Sequence, residues 1–166
     1  MSVSLYLVNV TIHVLAALLW RGGMFFLAAV GAPVLRKVEP PALRAALFRQ
    51  LGEQFRRVGW IAIAVLLVTG TMNVWFRGYL STAVLGSGGF WGSRYGVALA
   101  WKLAAVTAML VVQGIHDFIV GPAASRIDPA SPAMKKTRRR AAVLARLSAG
   151  LGIIVVIAAV RLARGG

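Results

Sequence analysis

The chain has 166 residues, 59% hydrophobic and only 14% charged, with a mean hydropathy of +0.78. That balance excludes an ordinary soluble domain, and the absence of cysteine excludes disulfides, thiolate metal sites, iron–sulfur clusters and thiol catalysis. The formal charge of +15 sits mostly in two loops between apolar runs, so it reads as a topology signal and as contact with anionic lipid, not as nucleic-acid binding.

A helix needs roughly 20 apolar residues to cross the hydrocarbon core. Four runs qualify, at about residues 5–31, 58–76, 96–119 and 143–160. The expected fold is therefore all-α: one integral membrane four-helix bundle over residues 1–166, embedded in a lipid bilayer. Met1 to Val10 carries no positive charge, so the first run is read as a helix of the mature protein and not as a signal peptide.

The loop after the first run carries Arg36, Lys37, Arg44, Arg49, Arg56 and Arg57. The loop after the third carries Arg126, Lys135, Lys136, Arg138, Arg139, Arg140 and Arg146. The positive-inside rule places both loops in the cytoplasm and both termini outside, a multi-pass N-out/C-out layout suited to a bacterial inner membrane. Within the first loop, Glu39 to Arg57 follows Pro40 and Pro41 and sets Leu43, Leu47 and Leu51 on one face with arginines on the other. That pattern predicts a short amphipathic helix at the interface. The outer loop, Arg77 to Gly96, mixes Gly and Ser with Tyr79, Phe90, Trp91 and Tyr95, aromatics that anchor at headgroup level.

Polar side chains inside a span are expensive, so each is a candidate site residue. His13, Arg21, Thr69, Asn73, Lys102, Gln113, His116 and Asp117 make up that set. Counting about 1.5 Å per residue from the outer boundaries puts His13 about 12 Å deep, Lys102 about 9 Å, and Thr69 and Asn73 between roughly 4 and 11 Å. These four can share an outer-leaflet site. His116, at roughly 30 Å on the same count, lies near the inner end with Asp117, which makes the two histidines poor candidates for axial ligands of one haem.

His13, Ala17, Trp20 and Met24 form one helical stripe, and Lys102, Met109, Gln113 and His116 another. His13 and His116 are the imidazoles available to a metal, and His13 can take haem iron through a ring nitrogen. The alternative for His13 is a hydrogen bond to a neighbouring helix. Lys102 can be a second ligand as a neutral amine, a propionate partner or a proton carrier; it can equally snorkel to the interface. Arg21 pairs with Asp117 as the acidic group at comparable depth, and His116 with Asp117 can handle protons. Thr69 with Gly70, and Ser148 with Gly152, suit close helix packing. Met24, Met72 and Met109 are soft enough for copper(I) but lack a clustered spacing. A phosphate loop, a serine triad and a pair of intramembrane carboxylates are all absent from the sequence.

The run from Ile12 to Val38, IHVLAALLWRGGMFFLAAVGAPVLRKV, resembles the opening of the CopD (copper resistance D) membrane proteins. LLVTGTMNVW (Leu66–Trp75) and WKLAAVTAMLVVQGIHDFIVGP (Trp101–Pro122) resemble that family's second and third helices. The layout is also similar to HemJ, the four-helix protoporphyrinogen oxidase, whose first-helix histidine and third-helix lysine are linked to haem b; these fall on His13 and Lys102. HemJ's adjacent proline and arginine are separated here, as Pro33 and Arg36, so the chain reads closer to CopD.

The resemblance implies a redox metal centre, haem b in the outer half of the bundle, with His13 as ligand, Lys102 opposite or as charge partner, and Trp20, Thr69 and Asn73 around it. Electrons would pass to quinone or a periplasmic redox partner, and any enzymatic activity would be that of a haem-dependent oxidoreductase. Three other readings stay open: copper uptake or homeostasis, with copper in place of haem; protoporphyrinogen oxidation; and a non-catalytic membrane subunit. Small residues on the fourth helix permit a homodimer.

Overall fold

The computed structural model describes residues 3–121 and 132–164. Among them no strand occurs, and four helices are long and apolar enough to cross a membrane. Helix α1 runs Val3–Leu35, α2 Pro41–Phe76, α5 Arg94–Val120 and α6 Pro132–Ala163; two short turns, α3 (Thr82–Leu85) and α4 (Gly88–Gly92), lie between α2 and α5. Of the basic residues counted above, Arg126 lies outside the described residues. Large apolar side chains such as Leu18, Phe26, Ile61, Trp101 and Phe118 are exposed, each by 60% or more, as expected where the solvent is lipid.

All four long helices overrun the apolar runs that announce them. The amphipathic segment after Pro40 and Pro41 is helical, as its pattern predicts, and it continues into the second span without a break, making α2 a 36-residue rod. Pro41 at its first turn has no amide hydrogen to leave unsatisfied. The helix ends in a Schellman motif: Gly78, at φ 76, donates from its amide to the Trp75 carbonyl at 2.8 Å, and Tyr79 donates to that of Val74 at 3.1 Å. Two π-helical turns, Leu18–Gly22 and Leu27–Gly31, interrupt α1, and a third, Ile115–Val120, closes α5. In the connection between α1 and α2 the Arg44 guanidinium reaches Glu39 at 3.1 Å and the Arg36 carbonyl at 3.4 Å.

The described chain divides into two compact units, 1–84 and 85–166. In the first, α1 and α2 lie antiparallel. The pairing is visible rung by rung: Tyr6 against Phe76 with ring centroids 5.8 Å apart, Asn9 against Asn73, Trp20 against Gly59, and Gly23 against Phe55. Trp20, Ala62 and Ile63 are each 3% exposed and form the apolar part of this seam.

In the second unit α5 packs along α6 through small and medium side chains: Ala98, Leu99, Ala105 and Met109 from one, Ser148, Gly152, Ala158 and Leu162 from the other. Such residues let helix backbones approach closely where water supplies no driving force. The start of α5 is fixed by Ser93, whose hydroxyl accepts from the Gly96 amide at 3.1 Å and donates to the Phe90 carbonyl at 2.6 Å. Ser93→Ala should cost about 1 kcal/mol, read as a lower thermal midpoint in detergent with unchanged helical content.

Candidate functional site

The polar cluster of the first unit is built on two helices. On α1, Asn9 and His13 are one turn apart and so share a face; on α2, Thr69, Gly70 and Asn73 occupy the opposing rung. Asn9 is 5% exposed, and its side-chain amide donates twice, to the Thr69 carbonyl and to Asn73 Oδ1, both at 3.0 Å. Both amide hydrogens are therefore spent in crossing from one helix to the other.

His13 Nδ1 lies 2.7 Å from Thr69 Oγ1, and that hydroxyl lies 2.6 Å from the Val65 carbonyl one turn back. Thr69 is 6% exposed, while the imidazole is half-buried. Gly70 lies next to the ring: a Cβ there would stand 3.4 Å from His13 Cε1, at van der Waals contact. The TG pair of LLVTGTMNVW thus faces His13, with Thr69 meeting the ring nitrogen and Gly70 lying beside Cε1.

Asn9 escaped the sequence inventory because a short amide two turns inside a helix reads as interfacial. The available signal was its spacing of four from His13. A crossing amide of this kind is worth about 1 kcal/mol in a membrane helix pair, so Asn9→Leu should lower the thermal unfolding midpoint measurably while preserving the helical spectrum.

Further along the same seam Trp20, 3% exposed, lies against Gly59 with Cδ1 and Nε1 3.5 Å from where a Cβ would stand. Arg21, in the first π-helical turn, has its guanidinium 5.6 Å from the Trp20 ring centroid and Nη1 3.9 Å from Met24 Sδ.

The second unit carries its own cluster at the end of α5. Asp117 is 6% exposed and receives Gln113 Nε2 on one oxygen at 2.9 Å and His116 Nδ1 on the other at 3.0 Å. Gln113 and Asp117 meet because they are four apart. Adjacent residues do not normally face each other on an α-helix; here the wider π-helical turn closes the angle between them. The His116 side chain is 43% exposed. Lys102 is half-buried on α5, two turns before Met109. Among the described residues no three of His, Asp and Glu come together as a metal site.

The sequence profile of copper resistance protein D matches residues 49–162. The chain belongs to the CopD family. The matched region takes in Thr69, Gly70, Asn73, Lys102, Gln113, His116 and Asp117, while Asn9 and His13 precede it. An uncharacterized protein of Aquifex aeolicus (strain VF5) is 31% identical over 111 residues, covering 66% of this chain and 66% of that relative. No solved structure matches the chain. CopD membership agrees with the resemblance read from the second and third spans, and with the four helices it makes a multi-pass membrane protein of a copper-related family.

Proposed function

We propose that this CopD-family protein holds a redox centre, haem b, with His13 as an iron ligand. The observation that carries the reading is the donor chemistry around that histidine: one imidazole anchored through Nδ1, beside the oxygen and amide groups of Thr69, Asn9 and Asn73. A copper(I) ion held by the protein alone needs several soft or imidazole ligands. Haem iron takes four nitrogens from its own porphyrin and asks the protein for only one or two ligands, which suits a single positioned imidazole between apolar helices. Haem bound there supplies a one-electron iron couple. The chain's own part is to hold the imidazole at a fixed angle, to spend the surrounding polar hydrogens internally, and to keep water away with Trp20 and the apolar seam.

The charge pattern supports an N-out/C-out orientation in a bacterial inner membrane, with the arginine-rich start of α2 on anionic headgroups. His13 then lies in the outer half, open to exchange with quinone or a periplasmic redox partner. Copper handling is the second reading, favoured by the family to which the chain belongs.

The test is a visible spectrum of the detergent-purified protein, oxidised and dithionite-reduced, together with its copper content. A Soret band with sharp reduced α and β bands supports the haem centre, and a protoporphyrinogen assay on the same sample then separates electron carrier from oxidase. A colourless protein that takes up no hemin but retains stoichiometric copper overturns it in favour of the copper reading.

A further inference from the structure

The hydrogen-bond chain running through His13 has a direction, and Val65 sets it. A threonine hydroxyl has one hydrogen to give and two lone pairs to receive with. The Val65 carbonyl, 2.6 Å from Thr69 Oγ1, offers only lone pairs, so the hydroxyl hydrogen must lie on that line; without it two oxygens would stand lone pair to lone pair at hydrogen-bond distance. This is the back-bonding to the preceding turn that threonine makes in helices. Thr69 Oγ1 can then only accept from His13 Nδ1, 2.7 Å away. The ring hydrogen sits on Nδ1, and the lone pair of the neutral imidazole sits on Nε2.

We propose that Thr69 is a positioning residue that fixes His13 in the Nδ1–H tautomer and makes Nε2 the ligating atom. This rests on the haem reading for the identity of the ligand but not for the tautomer, which belongs to the chain alone. A histidine that ligates a metal usually gives its other N–H to a fixed acceptor, which sets both ring angle and basicity. Here that acceptor is the hydroxyl of a residue only 6% exposed, and its own hydrogen is committed, so it cannot reverse its role. Asn9 adds to the fixity, since it ties the backbone of the same Thr69 to α1. Gly70, next in sequence, lies beside the ring, where a Cβ would stand 3.4 Å from His13 Cε1.

Two measurements test this, the first independently of the haem reading. The first is nitrogen-15 NMR of the haem-free full chain labelled at histidine, with His13 assigned by comparison with His116→Gln. The wild type should show a protonated Nδ1 and an unprotonated Nε2. Thr69→Val, nearly isosteric but unable to accept, should move His13 to the Nε2–H form or to a mixture, and Thr69→Ser should restore the wild-type pattern. A wild-type His13 carrying its hydrogen on Nε2 overturns the proposal. Should Thr69→Val fail to fold, the wild type and Thr69→Ser still decide it.

The second is hemin titration followed at the Soret band. Thr69→Val should bind about 10- to 100-fold more weakly and Thr69→Ser within a few-fold of the wild type. Equal hemin affinity in Thr69→Val despite a changed tautomer overturns the positioning role. A wild type with the expected tautomer that takes up no hemin leaves the tautomer assignment standing and overturns the haem reading.

Discussion

His13→Ala should yield a folded membrane protein from which haem is essentially lost. On the proposed reading the imidazole is the iron ligand, so its removal should lower haem per mole of protein by at least roughly ten-fold, the lower end of what loss of a mere supporting hydrogen bond costs. The cost to folding should be smaller. The ring is half-buried, and the seam around it keeps Asn9, Trp20, Ala62 and Ile63. The measurement is the pyridine haemochrome of purified protein against protein concentration, with a melting curve on the same sample. Thr11→Ala is the control: two residues away, exposed and with its hydroxyl donating to the Leu7 carbonyl of its own helix, it should keep the full Soret band. Full haem occupancy in His13→Ala would remove this histidine from the site.

The largest effect on stability should come from Gly96→Ala. A methyl group at this position would run into the Phe90 carbonyl and the Trp91 backbone, where no flexible side chain can swing aside. Overpacking ordinarily costs about 1–3 kcal/mol, and a backbone obstacle belongs at the top of that range or above it. The damage should be local, since the same glycine amide is the one capped by Ser93. We expect a thermal midpoint well below that of Ser93→Ala, with the aromatic signals of Phe90, Trp91 and Tyr95 disturbed together. Gly114→Ala offers the opposite sign. Nothing lies within 4 Å of a Cβ there, so alanine should stabilise α5 by about 0.5–1 kcal/mol. A Gly96→Ala protein that melts with the wild type would show that the turn before α5 is far looser than its packing implies.

Much of the fold is legible in the amino-acid sequence because lipid imposes one demand on every residue of a span. Four apolar runs announce four crossings, and the spacing of Leu43, Leu47 and Leu51 announces a helix after Pro41. The continuity of that helix with the second span is not legible, since Gly59 between Arg57 and Trp60 reads as a place for a helix to weaken, and its packing against Trp20 shows only in three dimensions. The three π-helical turns leave no mark in composition either; they are a matter of hydrogen-bond register. At the site, the TG pair signals close packing whichever helix it meets. That Thr69 meets a histidine emerges only when α1 and α2 are laid antiparallel, which brings residues 56 positions apart to one rung. Asn9 shows the reverse weakness: its side chain is an ordinary polar group until the opposing carbonyl and amide come into view.

The uninterrupted length of α2 bears on the position of Thr69. At about 1.5 Å per residue its 36 residues extend about 54 Å, against a hydrocarbon thickness of about 30 Å. A sizeable arm of the rod therefore stands clear of the hydrocarbon, bearing Arg44, Arg49, Arg56 and Arg57, and no proline within it can serve as a hinge. The turn that holds Val65, Thr69 and Asn73 therefore continues without interruption from an arginine-bearing segment outside the hydrocarbon, so the polar rung and the charged arm belong to one and the same helix.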